Sequence, residues 1–217
     1  MGKIVVSANV TLDGVIQDPD GEEGFKRGGW FKQFVGRDFE GWAKHETEET
    51  LHAEAMLLGR TSEEWFGART PGRTEPWAAR MNSLPKYVVS STLKKPKWTN
   101  STVLKDVVKD VSKLKQEVGG DILIYGSYQL VRTLMEHRLV DEFRLIVFPV
   151  ALGAGKRLFG ETTDKTPLRL VCSQTIGEGL LLITYEVVRA PPTSSSGGER
   201  GTLMTPNSIR TSEDRPQ

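Results

Sequence analysis

The 217-residue chain is poor in cysteine and histidine, and this excludes several kinds of site. The single cysteine, Cys172, excludes an intrachain disulfide and a cysteine-rich metal site. It lies in an apolar, strand-like segment, so we expect a small buried side chain there. The histidines, His45, His52 and His137, are scattered along the chain and form no metal-binding pattern. We therefore expect no metal site, and we expect the histidines on the surface or at helix ends.

The chain also lacks an excess of charge and long hydrophobic runs. Lys plus Arg number 29 and Asp plus Glu number 28, which gives no basic surface for nucleic acid or an anionic membrane. No apolar run approaches the length of a membrane span. The opening letters MGKIVVSANV lack the long apolar region of a signal peptide. The sequence predicts no nucleic-acid partner, no membrane partner and a cytoplasmic location.

Regular structure is predicted for residues 1–189, and residues 190–217 differ from them in character. The last segment is rich in Ser, Thr, Gly and Pro and has no hydrophobic periodicity. Such a composition cannot bury a core of its own, so we expect a disordered or low-complexity tail. Residues 1–189 are expected to form one α/β domain.

The hydrophobic pattern of the domain alternates between strands and helices. Residues 17–29 read as a long loop. The parallel-type strands come first and a hairpin closes the chain, so we expect a mostly parallel sheet with an antiparallel C-terminal side. The predicted strands cover residues 3–9, 55–58, 86–90, 121–125, 140–150, 168–174 and 180–188, with a weak strand near Val103. The predicted helices cover residues 38–53, 61–66, 106–118 and 128–137, with one or two helical turns over 76–84.

Two junctions between a strand and a helix carry the first functional signal. The letters DILIYG at 121–126 end a buried strand, and the segment SYQL that follows opens a helix. A similar junction joins MLLG at 56–59 to the segment SEEWF at 62–66, which Thr61 could cap. A strand that turns through small residues into a helix presents free N–H groups, which attract phosphate. The alternative, two ordinary turns of an α/β domain, remains open on the residues alone.

A set of motifs, in order, resembles a known family. The letters are SANVTLDG at 7–14, LGRT at 58–61 with Glu64, VVSS at 88–91, IYGS at 124–127, LVDE at 139–142 and PVALGAG at 149–155. Together they resemble the dihydrofolate reductase-like fold, in the branch named for the C-terminal reductase domain of bacterial riboflavin biosynthesis proteins. The resemblance implies a three-layer αβα fold and an NADPH-dependent reductase. The substrate would be a small heterocycle reduced at a C=N or CH–NH bond.

The resemblance also implies roles for particular residues. The junction at 56–61 would meet the pyrophosphate and the 2′-phosphate of NADPH, a serine pair would border the adenosine, and the junction at 121–127 would take the other face of the pyrophosphate. The residues expected at the cofactor are Gly59, Arg60, Thr61, Ser90, Ser91, Gly126, Ser127, Tyr128 and Leu130, with Ala8 and Ile16 beside the nicotinamide. The residues expected to be catalytic are Asn9, Asp13 and Glu46, of which Asn9 also borders the nicotinamide.

Departures from the family concern the substrate side. Ala43 stands where dihydrofolate reductase keeps a carboxylate, so we expect slow turnover of dihydrofolate. Glu46 lies one helical turn further on, and a solvated or helix-pairing charge is an equally open interpretation of it. Riboflavin-pathway reductases commonly have a lysine where Ser7 stands and an acid where Tyr125 stands. These differences weaken, without excluding, 5-amino-6-(5-phosphoribosylamino)uracil reductase as the function.

Two further expectations follow from the pattern. The apolar run at residues 143–148, beside a long C-terminal strand, resembles the side through which relatives pair, so we expect a homodimer. Trp42 is expected to be aromatic core under the long loop. The alternative from outside the enzymes is a domain without catalytic activity that binds a nucleotide or a partner.

Overall fold

A computed structural model describes residues 1–160 and 165–189 of the chain, and these form an α/β fold around one twisted sheet. The sheet has eight strands in the order β4-β3-β2-β5-β1-β6-β8-β7. All pairings from β4 to β6 are parallel, and β8 pairs antiparallel with both β6 and β7. The strands are β1 Lys3–Thr11, β2 Ala53–Gly59, β3 Lys86–Val89, β4 Ser101–Leu104, β5 Asp121–Tyr125, β6 Glu142–Phe148, β7 Leu168–Ile176 and β8 Leu180–Val187.

Helices cover both faces of this sheet. They are α1 Trp30–Val35, α2 Phe39–His52, α3 Arg60–Arg69, α4 Pro76–Ser83, α5 Val107–Glu117 and α6 Tyr128–Glu136. All but α1 were predicted from the sequence. Within the described part of the chain, no helix is both long and apolar enough to cross a membrane.

The two helical layers follow from strands that are apolar on both faces. On one face, Val131 of α6 and Leu114 of α5 pack with Ile124 of β5 in the main core. On the other face, Met81 of α4 packs with Leu123 of β5 in a second core. The mostly parallel αβα architecture expected from the sequence is therefore confirmed.

The sheet order creates a crevice between β2 and β5. After β2 the chain forms α3 and later β3, which lies on the side of β2 away from β5. After β5 it forms α6 and then β6, which lies on the side of β5 away from β2. Phe66 of α3 packs against the second core and Leu130 of α6 belongs to the main core, so the two connections lie on opposite faces. Ligands of open α/β sheets bind at such a switch point, beyond the carboxyl ends of the strands.

The antiparallel side of the sheet corrects two expectations. The apolar run of β6 is interior, because β6 lies between β1 and β8 and Phe143, Ile146 and Phe148 are buried within the subunit. It therefore gives no argument for a dimer surface. Cys172 is exposed, since β7 is the outermost strand and nearly all of it is exposed. The division at residue 189 stays a prediction, because residues 190–217 lie outside the described residues.

Candidate active site

The two predicted junctions meet and are bonded to each other at the β2–β5 crevice. The N–H of Gly59 donates to Oγ of Ser127 at 2.8 Å, and the N–H of Ser127 donates to Oγ of Ser62 at 3.0 Å. Gly126 and Ser127 both have left-handed backbones, with φ of 63° and 55°. A Cβ on Gly126 would lie 3.0 Å from Oγ of Ser62. Only glycine fits there without strain, for both steric and conformational reasons.

Both helices that begin at this crevice lack a side-chain cap. Gly59, the N-cap of α3, has no side chain, and the side chain of Ser127, the N-cap of α6, does not bond the first-turn N–H groups. The Ser127 hydroxyl accepts the N–H of Gly59 instead. The helices α1, α2 and α4 also lack a side-chain cap, whereas α5 is capped by Asp106. Uncapped first turns attract anions through their N–H groups and the helix dipole. The expectation that Thr61 caps α3 was wrong, because α3 begins at Arg60 and its N-cap is Gly59.

The adenosine side of the predicted site is formed by the start of α3 and the loop after β3. The guanidinium of Arg60 donates to Glu64 at 2.8 Å and to the hydroxyl of Thr92 at 3.3 Å. Oγ of Ser90 accepts the N–H three residues later and closes the turn, and Ser91 is exposed beside it. The predicted residues are thus brought together, and Arg60 is held at the crevice by an exposed ion pair.

The predicted nicotinamide residues divide between the two faces of β1. Ala8 and Ile16 are half-buried and pack against the core that contains Leu130. Asn9 points to the opposite face, where its Oδ1 accepts the indole N–H of Trp42 at 3.0 Å. Trp42 is half-buried and holds Asn9 in place, which is more than the core-filling role expected from the sequence.

Tyr128, the remaining predicted cofactor residue, begins α6 and lies beside a cation. The ammonium of Lys156 is 5.1 Å from the centroid of the Tyr128 ring. Hydrogen bonding to Tyr128 raises the pKa of Lys156 above its usual value. The contact places a positive charge at the entrance of the crevice, on the α6 side.

Asp13 organises a loop. Its carboxylate accepts the Thr11 hydroxyl at 2.6 Å and the N–H groups of Leu152 and Gly153 at 3.1 and 2.8 Å. The hydrogen bond from Thr11, assisted by the backbone N–H groups, lowers the pKa of Asp13 to about 2. An acid that is ionised at neutral pH is suited to joining two loops rather than to donating a proton.

The long loop over residues 17–29 reaches from the end of β1 to α3. Asp18 is buried and accepts the N–H groups of Glu23 and Phe25 at 2.9 and 3.0 Å, which gives the loop a fixed shape. The carboxylate of Glu22 accepts from Arg69 at 2.6 Å and from the indole of Trp65 at 3.3 Å. The loop is therefore attached to α3 on the side of the sheet that carries α2.

The carboxylates of α2 lie against the sheet. Glu46 and Glu49 are only 7% and 6% exposed. The Tyr125 hydroxyl donates to Oε2 of Glu49 at 2.8 Å, and Arg144 of β6 lies 3.4 Å from Oε1 of Glu49. The solvated interpretation of Glu46 was wrong, and Glu49, which the sequence did not single out, is buried beside it. Helical spacing places Trp42, Glu46 and Glu49 on one stripe, and this was the available signal for the missed residue.

The environment of Glu46 favours its protonated form. The pKa of Glu46 is raised from 4.5 to about 8. Desolvation is the larger cause, and repulsion from Glu49 is the second. Burial raises the pKa of Tyr125 well above 10, so the phenol stays a hydrogen-bond donor. In the described part of the chain, these acids included, no group of His, Cys, Asp and Glu side chains is able to hold a metal ion.

Comparisons with known proteins identify the family. The YyaP protein of Bacillus subtilis (strain 168) is 30% identical over 188 residues, which cover 84% of this chain and 94% of that protein. A putative riboflavin biosynthesis protein from Shewanella sp. PV-4 has a similar structure, with a TM-score of 0.65 at 20% identity over 86% of this chain and 99% of its own. A pyrimidine reductase-like protein from Corynebacterium diphtheriae has a TM-score of 0.55 at 13% identity, over 87% and 92% of the two chains. The family model of the RibD C-terminal domain matches residues 2–182, and the chain therefore belongs to that family, within the dihydrofolate reductase-like fold.

Proposed function

We propose that the protein is an NADPH-dependent reductase that transfers a hydride to a small heterocycle. The observation that carries the proposal is the pair of uncapped helix starts, α3 and α6, bonded to each other at the switch point of the sheet. A dinucleotide pyrophosphate carries the charge that such a site attracts. Membership of a family of reductase domains supports the same function.

The residues present fit this cofactor. The N–H groups that follow Gly59 and Ser127 would hold the pyrophosphate, and the missing Cβ of Gly126 leaves room for the Ser62 hydroxyl that holds the N–H of Ser127. Arg60 and Thr92 would meet the 2′-phosphate and so favour NADPH over NADH. NADPH supplies the hydride when bound, and the protein orients it and excludes water.

The substrate side suits a flat ring. Asn9 and Trp42 form a hydrogen-bonded wall on the α2 face of β1, and Ala8 borders the opposite face. A heterocycle stacked near the nicotinamide could meet the amide of Asn9 and the acid of Glu46. The Corynebacterium neighbour is described as pyrimidine reductase-like, and a pyrimidine or pterin ring is the substrate class we propose.

Cofactor binding is the direct test. NADPH should quench the tryptophan fluorescence, and Arg60→Ala should weaken NADPH binding by about 1.5–3 kcal/mol, the range for a charge-assisted hydrogen bond. NADH binding should change little. Arg73→Ala is the control, because Arg73 is a similarly exposed arginine paired with Glu75. Absence of binding by the wild type would reject the reductase and favour an interaction domain, and equal affinity for NADPH and NADH would reject the role of Arg60.

We also propose a homodimer, now on the basis of β7. This edge strand is exposed over eight of its nine residues, and Leu168, Leu170 and Val171 are 37–51% exposed. A long, exposed edge strand with apolar side chains is a surface that proteins ordinarily cover. Sedimentation at micromolar concentration should show a species of twice 24.1 kDa, and a monomer alone would reject the pairing.

A further inference from the structure

Two buried glutamates of α2 face the sheet, and the hydroxyl of one tyrosine interacts with both. Glu46 and Glu49 are about one helical turn apart and are both buried. The hydroxyl of Tyr125 donates to Glu49 and also interacts with Glu46. A buried phenol between two carboxyl groups can donate to only one of them at a time.

The cations around this pair are unevenly distributed. Arg144 contacts Glu49 at 3.4 Å, and Asp121 and Glu142 at 2.7 Å each, while Lys3 contacts Glu142 at 3.5 Å. Among the described residues, Glu46 alone of these four acids has no cationic partner. A buried carboxylate without a cation is costly, whereas the protonated acid is not. Of the acids in this cluster, Glu46 is therefore the one that is protonated at neutral pH.

In the part of the chain that the structure describes, no other element forms an ion pair with Glu46. Arg80 of α4, a helix that packs on α2, donates instead to the carbonyls of Thr50 and Ala53 at the end of α2. On β1 the neighbour is the uncharged Ser7, which pairs in register with Tyr125 on one side and with Arg144 on the other.

The register also locates Glu46 relative to the proposed nicotinamide site. Asn9 lies on the same face of β1 as Ser7, two residues nearer the carboxyl edge. Trp42, one turn before Glu46 on α2, is bonded to Asn9. Glu46 therefore lies one helical turn further from the carboxyl edge of the sheet than the Asn9–Trp42 contact. It is beside the place where the ring to be reduced would lie.

We propose that Glu46 is the acid that protonates the substrate, and that Tyr125 and Glu49 are positioning residues that hold it ready. This inference rests on the proposed reductase function. The carbon of a C=N bond receives the hydride that NADPH supplies, and the nitrogen takes the proton of Glu46. The products are NADP⁺, a CH–NH bond and the Glu46 carboxylate.

Tyr125 has a defined part in this step. Once Glu46 has lost its proton, the phenol can turn from Glu49 to donate to the new carboxylate, while Arg144 continues to neutralise Glu49. Water returns the proton to Glu46 after the product leaves. Asp13 cannot replace Glu46, because its hydrogen bonds keep it ionised at neutral pH.

The location of the proton can be tested without turnover. Protein labelled with ¹³C at the glutamate carboxyl carbons should show one resonance that titrates near pH 8. That resonance should be absent in Glu46→Gln, an isosteric change, and present in Glu48→Gln. Glu48 is the matched control because it lies on the same helix with its side chain 57% exposed. A wild type with no carboxyl group titrating above neutrality overturns the inference.

The role in the reaction is tested with NADPH oxidation over a panel of dihydrofolate, dihydropterin and uracil probes. Glu46→Gln should lower kcat about 10²–10⁴-fold with little change in NADPH binding, and the wild-type kcat should fall as pH rises through the pKa of Glu46. Tyr125→Phe should shift that pH profile. Unchanged kcat in Glu46→Gln overturns this inference and leaves the reductase standing. A wild type that fails to bind NADPH, or binds it and oxidises it with no probe, overturns the reductase and this inference together.

Discussion

Gly126→Ala is the substitution that tests the construction of the crevice most directly. The residue has φ of 63°, and the new Cβ would lie 3.0 Å from Oγ of Ser62. The left-handed conformation costs alanine about 1–2 kcal/mol. Displacing the Ser62 hydroxyl also breaks its bond to the N–H of Ser127, worth about 0.5–1.5 kcal/mol. The free energy of unfolding should therefore fall by about 1.5–3.5 kcal/mol.

The two contributions can be separated with a matched glycine. Gly72 also has a positive φ, of 82°, but a Cβ there would meet nothing within 4 Å. Gly72→Ala should therefore show the conformational cost alone. A cycle of Gly126→Ala, Ser62→Ala and the double variant should give a double that is about 1 kcal/mol less destabilised than the sum of the singles, because the clash and the hydrogen bond are lost only once.

Urea unfolding measures these costs, and NADPH titration of the same proteins measures the site. Gly126→Ala should bind NADPH less tightly than the wild type, whereas Gly72→Ala should bind it equally well. The contrary result is that Gly126→Ala lowers the free energy of unfolding no more than Gly72→Ala does and leaves NADPH binding unchanged. In that case the close packing of Gly126 against Ser62 has no functional meaning, and the argument for a phosphate site there fails.

Three further outcomes are expected. Glu64→Gln should release Arg60 from its exposed ion pair and raise NADPH affinity roughly twofold without changing NADH affinity, as titration would show. Folding raises the pKa of Glu46 from its ordinary value of 4.5 to about 8. Between these two pH values the folded state therefore binds one proton more than the unfolded state. The contribution of Glu46 to stability should be complete below the ordinary value and fall by about 1.4 kcal/mol per pH unit up to about pH 8, and urea unfolding of Glu46→Gln should lack this slope. Truncation after Arg189 should leave the thermal midpoint unchanged, and a drop of several degrees would mean that the tail packs on the domain or a partner.

The parts of the fold that local pattern determines were predictable. Continuous apolar runs gave the strands that are buried on both faces, and small residues at Gly59 and Gly126 gave the junctions that meet at the crevice. The short helix α1 was missed, because a six-residue helix has too few turns to show a period, and Trp30 and Phe31 read equally well as aromatic residues closing a loop.

The buried charges could not be predicted, since their partners are distant in the chain. Glu49 can be buried because Tyr125 and Arg144 reach it from 76 and 95 residues away. Helical spacing puts Glu49 on the same stripe as Trp42, but it does not show that a charge on that stripe is buried. The exposure of Cys172 has the same origin, because an edge strand and an interior strand can share one apolar pattern, and only the sheet order distinguishes them.

The charge balance of the α2 face bears on the kind of substrate that the site accepts. Arg144 occupies the same row of the sheet as Ser7, the position where riboflavin-pathway reductases commonly have a lysine. Its charge is already balanced by Glu49, Asp121 and Glu142, so Arg144 has no positive charge left over for a phosphate. Loss of the Glu46 proton would make the face more negative still. An anionic sugar phosphate would be repelled here, whereas a neutral ring that accepts a proton in the reaction would be stabilised. We therefore expect the cofactor side to attract phosphate and the substrate side to favour an uncharged heterocycle.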